Sequence, residues 1–400
     1  MSWAEKSLDE LGEVSRGRSR HRPRDAAHLY GGDYPFVQTG DVKHAGLYLT
    51  DYEQTYSEAG LAQSKLWPEG TLCITIAANI ADTSILKIKA CFPDSVIGFI
   101  PEKEKADARF IKYLFDAMLK KRYKNFTQGA AQDNLSQGKL LSLKFPVPDF
   151  LTQKAIADTL SPYDDLIENS KRRIELLEES ARQLYKEWFV RFRFPGHEHV
   201  KIIDGVPEGW DSGVISDFYT TSSGGTPSRK VPEYYTGDIN WVKTQELGNG
   251  FIFETSEKIT GDAIKKSSAK LFPEYSVLVA MYGATIGQLG ILAKESASNQ
   301  ACCALISNSE RSHFIHAYLF LSENKSGLIG RSKGAAQNNI SQDIVKNYHM
   351  VMPPKPLMEQ FIDYVDPIFS QIKILSLEIS KLTSARDILL PKLMKGEIAV

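Results

Sequence analysis

Two regions of the chain carry apolar or small residues at alternating steps of four and three, the 3.5-residue period of a coiled-coil seam. They cover 156–188 and 361–393, and an offset of 205 residues superimposes them position by position. Only Ser170 and Arg386 break the apolar pattern. The matched seams predict two long helices that pack against each other as an antiparallel coiled coil. The predicted seam contacts include Ile167, Ile174, Leu177, Leu184, Ile372, Leu375, Ile379, Leu382 and Leu389.

A proline stands at the equivalent place in each seam, at Pro162 and Pro367. Each follows a residue suited to cap a helix, Ser161 or Asp366, which indicates a helix start. A kinked helix that continues through each proline is the alternative. The long helices would span about 40–45 Å at 1.5 Å per residue. The helices predicted from these starts are 152–160, 162–190, 358–365 and 367–394.

The same offset relates segments outside the seams, which indicates a tandem duplication of a unit of about 200 residues. It carries Gly129–Ser136 onto Gly334–Ser341 and Lys65–Glu69 onto Lys270–Glu274. The repeated Gly-Ala-Ala-Gln segment could contact DNA, but a structural turn between helix and sheet is the favoured interpretation. A duplicated chain resembles a two-fold dimer, which suits a ligand with two related sites, such as a DNA duplex.

The remaining segments predict a mixed α/β fold in each copy. Helices are expected near 106–123 and 312–324. Strands are expected near 36–38, 47–50, 71–77, 84–92, 95–100, 139–147, 239–244, 276–282, 286–293, 300–306 and 345–352. Turn-rich segments at 196–207 and 353–356 mark boundaries. The predicted regions are a first globular domain (1–150), a first helical region (151–195), a second globular domain (196–355) and a second helical region (356–400).

The composition is that of a globular protein, with 42% apolar and 24% charged residues. A net charge of −1 argues neither for nor against nucleic acid, because acidic helices can mask a basic face. No signal-peptide or membrane-spanning pattern is found, so a cytoplasmic location is expected. The four cysteines, Cys73, Cys91, Cys302 and Cys303, lack zinc-ligand spacing and are expected to be reduced and buried.

The motifs of common catalytic classes are missing. The sequence has no phosphate-binding Gly-x-x-x-x-Gly-Lys-Ser/Thr loop and no Asn/Asp-Pro-Pro-Tyr segment of an amino-methyltransferase. The eight histidines form no metal-ligand or triad pattern; for His313 and His316, which share a helix face, packing or surface exposure is the favoured interpretation. We therefore expect a binding module without catalytic residues, metal or bound cofactor.

A run of arginines at every second residue, 16–24, is the main indication of nucleic acid. On an extended segment this spacing places all five on one face, suited to phosphate or guanine. We favour DNA contact over a merely solvated surface. In the second copy a loop of small polar residues, Ser222–Lys230, takes the place of this run. The candidate DNA-binding residues are Arg16, Arg18, Arg20, Arg22, Arg24, Lys43, Ser223, Thr226, Arg229, Lys230, Lys243, Arg331 and Lys333.

Five segments together resemble the specificity subunit of type I restriction–modification systems, and the resemblance covers the whole chain. They are Gly129–Ser136, Gln153–Ser161 with Asp164 and Asp165, Leu184–Phe192, Val206–Trp210 and Ala385–Ile398.

The resemblance implies two target recognition domains, each of which recognises one half of a split, asymmetric DNA site. The antiparallel coiled coil would fix the spacer and bind two modification subunits, which methylate adenine N6 with S-adenosylmethionine. Restriction subunits would add translocation and cleavage with ATP and Mg²⁺. Two other readings remain: a coiled-coil scaffold without DNA specificity, and a self-sufficient methyltransferase, which the missing motifs disfavour.

Overall fold

The structure is a computed structural model that describes residues 3–78, 80–119, 135–331 and 339–398. The chain folds as two compact units, of which unit 1 comprises Met1–Asn169 with Ser380–Val400 and unit 2 comprises Ser170–Ile379. Each unit therefore contains a globular part and a portion of both long helices. The four-region division made from the sequence separates globular from helical segments and stays a prediction.

Unit 1 is built on a five-stranded sheet. The unit contains nine strands in its described residues: β1 Ala4–Lys6, β2 Gly12–Arg16, β3 Tyr30–Phe36, β4 Tyr48–Leu49, β5 Gln54–Tyr56, β6 Leu72–Thr75, β7 Thr83–Leu86, β8 Val96–Pro101 and β9 Phe145–Val147. Its shorter helices are α1 Thr39–His44, α2 Glu58–Ala62, α3 Ala108–Leu114 (extended by a π-helical turn, Phe115–Leu119) and α4 Gln137–Ser142. The sheet has the order β2-β8-β6-β7-β4, in which only the β4–β7 pair is parallel. Strand β1 pairs with β9, and β3 pairs with β5.

The long helix α5 spans Phe150–Tyr185 and continues as a π-helical turn, Lys186–Val190. Unit 2 contains β10 Ile202–Ile203, β11 Val206–Pro207, β12 Asp211–Val214, β13 Tyr219–Ser223, β14 Ile239–Val242, β15 Phe251–Ile252, β16 Lys258–Ile259, β17 Leu271–Phe272, β18 Val277–Ala280, β19 Leu289–Leu292, β20 Ser296–Ser298, β21 Cys302–Ser307 and β22 His349–Met352. Its helices are α6 Ile215–Phe218, α7 Gly261–Lys266, α8 Phe314–Glu323, α9 Lys325–Gly330 and α10 Gln342–Lys346. The second long helix, α11, spans Lys355–Met394.

The main sheet of unit 2 repeats that of unit 1. Its order is β13-β21-β18-β19-β15, and again only the edge pair, β15–β19, is parallel. The β12–β22 pair corresponds to β1–β9. The four-stranded sheet β16-β14-β20-β17 has its counterpart in the β3–β5 pair and the bridges from Phe36 to Cys91 and from Trp67 to Ala90. The duplication inferred from sequence is therefore a duplication of topology.

Three predicted strands are partly wrong. Of 84–92, only the part up to Leu86 is a strand, β7. The beginnings of 139–147 and 345–352 belong to the short helices α4 and α10, and only β9 and β22 follow as strands. Both helices begin at a serine of the repeated segment: Ser136 Oγ accepts from Lys139 N and Ser341 Oγ from Ile344 N. The described end of that segment is thus a helix cap in both units. The Gly-Ala-Ala-Gln residues themselves lie outside the described residues.

The predicted helix starts at the two prolines are also wrong, and the continuous helix is correct. Pro162 lies inside α5 and Pro367 inside α11. A proline removes one backbone hydrogen bond and costs about 3 kcal/mol in a helix interior. Buried residues flank both prolines, Leu160 and Ser161 before the first and Val365 and Phe369 around the second. This packing offsets the lost hydrogen bond.

All ten positions of each predicted seam are buried or half-buried. Within unit 1, the early part of α5 packs with the end of α11 through Ile156, Leu160 and Leu393. Within unit 2, the later residues Ala181 and Tyr185 share a core with Phe361 and Val365, from the first half of α11. The two helices therefore run antiparallel in each unit. In the described ranges, no helix is both long and apolar enough to cross a bilayer.

Candidate nucleic-acid interface

The arginine run lies at one edge of the main sheet of unit 1. Arg16 ends β2, and the chain continues beside β8 because Gly17 N donates to Val96 O and Arg18 N to Phe92 O. Burial alternates along this stretch: Arg16, Arg18 and Arg20 are exposed, whereas Gly17 and Ser19 are buried. The prediction that the arginines lie on one face is therefore correct for residues 16–20. Beyond it the alternation ends, because Arg22, Pro23 and Arg24 are exposed in succession.

Asp94 holds two arginines of the run. The backbone carbonyl of Asp94 accepts from Arg16 Nε at 2.9 Å and Nη2 at 2.7 Å. Its carboxylate accepts from Arg24 Nη2, at 2.9 Å to Oδ1 and 3.0 Å to Oδ2. The side chain of Arg24 is nevertheless 49% exposed. Arg22, in contrast, donates to backbone carbonyls within the run, those of Ser19 and His21.

Unit 2 brings Arg229 and Lys243 together on one carboxylate. Glu257 Oε2 accepts from Arg229 Nη1 at 2.5 Å, and Glu257 Oε1 accepts from Lys243 Nζ at 2.8 Å. These two hydrogen bonds, that of Arg229 first, lower the pKa of Glu257 to about 2. Glu257 therefore stays ionised at neutral pH and holds both cations. Arg229 remains 56% exposed and Lys243 23% exposed.

Aromatic rings also contact the same arginine. The Arg229 guanidinium lies over the Tyr235 ring, 4.0 Å from its centroid, and 5.2 Å from that of Trp241. The Tyr235 hydroxyl donates to Pro227 O at 2.7 Å, which anchors the loop that carries Arg229. Trp241 Nε1 donates to Gly225 O of that loop at 3.0 Å. Arg229 is thus oriented by a carboxylate and by ring faces, which attract a cation.

The other candidates have separate surroundings. Ser223 N and Oγ donate to Gln342 Oε1, and Thr226 Oγ1 donates to Gln300 Oε1. Lys43 is exposed in the last turn of α1, and Lys230 is exposed next to Arg229. Arg331 is exposed, with its guanidinium 4.3 Å from the Tyr348 ring centroid. Lys333 lies outside the described residues.

The residues that hold the arginines were not predicted from the sequence, although the offset of 205 points to some of them. It carries Arg24, Tyr30 and Phe36 onto Arg229, Tyr235 and Trp241. We call each set of three the arginine module of its unit. The two aromatic rings of a module meet edge to face in both units, with centroids 6.0 Å apart in unit 1 and 5.7 Å apart in unit 2. The Tyr30 hydroxyl also anchors its arginine loop, because it donates to Arg24 O at 2.8 Å.

The histidine pair belongs to the packing of unit 2. His316 is fully buried in the core, with Nδ1 3.0 Å from the Tyr219 hydroxyl. His313 caps α8, since its Nδ1 accepts from Ile315 N. The packing interpretation is therefore correct. In the described part of the chain, no group of three or more His, Cys, Asp or Glu side chains is placed to hold a metal ion.

These features define a class: a tandem-duplicated α/β protein with two long helices and, in each copy, an arginine module whose arginine is exposed. Comparison with known proteins adds the family. The model of the type I restriction modification DNA specificity domain matches twice, over residues 1–179 and 207–384. The chain belongs to this family, as a type I restriction–modification specificity subunit with two DNA specificity domains.

Full-length relatives agree with this assignment. The chain is 28% identical over 413 residues to the type I restriction enzyme MjaIX specificity subunit of Methanocaldococcus jannaschii, covering 100% of this chain and 94% of that protein. It is 25% identical over 479 residues to the HindI specificity subunit of Haemophilus influenzae, covering 99% of each. The crystal structure of a type I S subunit from M. genitalium has the same fold, with a TM-score of 0.61 at 14% identity, over 98% of this chain and 96% of that one.

Proposed function

We propose that the two specificity domains recognise the two halves of a bipartite, asymmetric DNA site. The main support for this proposal is that the two units share one sheet topology but carry different loops on it. Unit 1 presents the arginine run 16–24, whereas unit 2 presents the small polar loop 222–230 at the corresponding place. Base sequence is recognised by individual side chains at base edges, so equal frames with unequal loops suit two unlike half-sites.

The paired long helices fix the spacer between the half-sites in this proposal. Half-sites about one DNA turn apart are separated by about 34–36 Å. The seam residues hold the two helices in one register, and that register determines how many base pairs separate the half-sites. The interdigitated side chains of the seam resist sliding of one helix along the other.

The outer surfaces of the same helices serve as docking sites for partner subunits. Large apolar side chains are exposed there, and such side chains often mark protein interfaces. They are Leu151, Leu166 and Ile388 in unit 1, and Leu176, Tyr364, Ile374 and Leu377 in unit 2. The partners are two modification subunits that methylate adenine N6 with S-adenosylmethionine, and restriction subunits that use ATP and Mg²⁺. In this proposal the chain itself binds no cofactor and catalyses no reaction, and the complex acts in the cytoplasm.

Exchange of one domain tests the proposal. Residues 201–355 would be replaced by those of another specificity subunit of known target, and methylated sites would be mapped in cells that also express the modification subunit. We expect one half-site to become that of the donor while the other half-site and the spacer persist. The unaltered chain, expressed with the same modification subunit, is the control. Two unchanged half-sites would contradict the proposal.

A further inference from the structure

The arginine of each module is paired with a carboxylate, and the duplication alone does not account for this pairing. The two arginines are repeat equivalents, but the carboxylates that hold them are not. The offset carries Asp94 onto Asn299, and it carries Glu257 back onto Tyr52. Each unit therefore obtained an acidic partner for the same arginine from a different place in its sequence. The two equivalent arginines are thus each paired with a carboxylate, although the two carboxylates are not repeat equivalents.

The carboxylates leave donor groups of the arginines unused. Within the described part of the chain, the side-chain hydrogen bonds of Arg24 use Nη2 and those of Arg229 use Nη1. Nε and the second terminal nitrogen of each guanidinium remain available to a ligand. An arginine has five N–H donors in a rigid planar fork, so one side can be fixed while another binds.

The electrostatics favour a base edge over a phosphate as that ligand. Asp94 offsets the charge of Arg24, and Glu257 offsets one of the two positive charges of Arg229 and Lys243. A carboxylate this close to the guanidinium weakens the attraction of that arginine for a phosphate. The acceptor edge of guanine is uncharged and binds the arginine fork through directed hydrogen bonds. An oriented and partly neutralised arginine therefore suits guanine.

We propose that Arg24 and Arg229 are the corresponding base-reading arginines of the two domains, each donating to the O6/N7 edge of a guanine in its own half-site. Asp94 and Glu257 position these arginines and oppose their binding to phosphates of unrelated DNA. This inference rests on the proposed function, because it assumes that each domain recognises one half-site.

Reciprocal conservative variants test the arginines. Arg24→Lys and Arg229→Lys would be expressed separately as full chains with the modification subunit, and methylated sites mapped. Lysine keeps the charge but not the planar fork. We expect each variant to lose about 5- to 150-fold discrimination at one G·C pair of one half-site. The other half-site should be unchanged, which also shows that the variant folds and assembles.

The carboxylates are tested by a matched pair in unit 2. Glu254 also bridges two cations, Lys258 and Lys294, but its side chain is 58% exposed and contacts no arginine module. Glu257→Gln and Glu254→Gln remove the same charge three residues apart. We expect Glu257→Gln to lower the ratio of affinities for target and scrambled duplexes about fivefold or more. Glu254→Gln should shift both affinities together and leave the ratio unchanged.

Three outcomes would overturn the inference. If the unaltered chain directs methylation to a two-part site and both arginine variants keep that site, Arg24 and Arg229 do not read bases. If the variants weaken target and scrambled DNA equally, with a lower salt dependence, the arginines bind phosphate. If the unaltered chain does not direct methylation to a two-part site, the proposed function is wrong and this inference is wrong with it.

Discussion

Arg386 Nη1 lies 2.5 Å from Asp164 Oδ1, and this ion pair explains the one charged residue in the two seams. The other carboxylate oxygen, Asp164 Oδ2, accepts from the Tyr113 hydroxyl at 2.5 Å. Asp164 thus joins α3 and both long helices within unit 1. The charged pair is accessible at its edge, with 24% of the Arg386 side chain and 10% of the Asp164 side chain exposed.

The first prediction is that this pair stabilises unit 1. A double-mutant cycle of Asp164→Asn and Arg386→Leu should give a coupling of about 1–3 kcal/mol in the free energy of unfolding. This is below the cost of breaking a fully buried pair, because solvent screens the exposed edge. Urea unfolding of the two single variants and the double variant measures the coupling. Additive effects of the two changes would contradict the prediction.

The second prediction concerns two isoleucines on the same helix. Ile372 is 1% exposed in the seam, whereas Ile374 is 66% exposed on the outer surface. Ile372→Ala should destabilise unit 2 by about 2–5 kcal/mol, because it removes buried methyl groups and leaves a cavity. Ile374→Ala, the matched control, should change stability by about 0.5 kcal/mol or less. Similar urea midpoints for the two variants would exclude the seam packing described here.

The third prediction is a loss of stability in mild acid. Burial, and then the nearby charge of His313, lower the pKa of His316 to about 3. An unfolded histidine has a pKa of about 6.5, so the unfolded state binds the proton first. The contribution of neutral His316 is therefore complete above pH 6.5 and is lost as pH falls towards 3. Between pH 7 and pH 5 the loss should be about 2 kcal/mol.

The control for this pH dependence is His316→Asn, which keeps a hydrogen-bonding group near the Tyr219 hydroxyl but does not titrate. Unfolding by urea at pH 7 and pH 5 should show a smaller difference for the variant than for the unaltered chain. His313, whose pKa burial also lowers, remains in both proteins, so its own titration occurs in both. The same pH difference in both proteins would rule out His316 as its source.

The fourth prediction addresses the spacer. Seven residues inserted after Lys171 and seven after the equivalent Ser376 preserve the seam register in both helices. At 1.5 Å per residue the helix pair lengthens by about 10 Å, or about three base pairs at 3.4 Å each. Mapping of methylated sites should show a longer spacer between unchanged half-sites. An insertion in one helix alone should abolish recognition. An unaltered spacer after the double insertion would show that the helix pair does not determine the spacer length.

The features predicted correctly from sequence are those with a regular period or a repeat. The seam positions are periodic over many turns, so their burial could be anticipated. The prolines misled the prediction because Pro162 and Pro367 satisfy the local rules of a helix start, while packing around them supports a continuous helix. The helices α4 and α10 are only six and five residues long, too short for a helical period to distinguish them from strands.

The carboxylates of the candidate site could not be predicted, because tertiary structure brings them to the arginines. Asp94 is 70 residues from Arg24, and Glu257 is 28 residues from Arg229. Neither pairing has a local spacing rule, and the acids have no charged repeat equivalents. The arginines, in contrast, are related by the offset. The arginines could therefore be found from the sequence, and the carboxylates could not.

The prolines inside α5 and α11 have a mechanical consequence. Each leaves the carbonyl four residues earlier, that of Asp158 or Asp363, without its helical hydrogen bond. Bending of a helix concentrates where such a bond is missing. Pro162 and Pro367 are repeat equivalents. Each long helix therefore has its bending point at the same distance from its first residue. We therefore expect any bending of the two long helices to occur at equivalent positions of the two repeats.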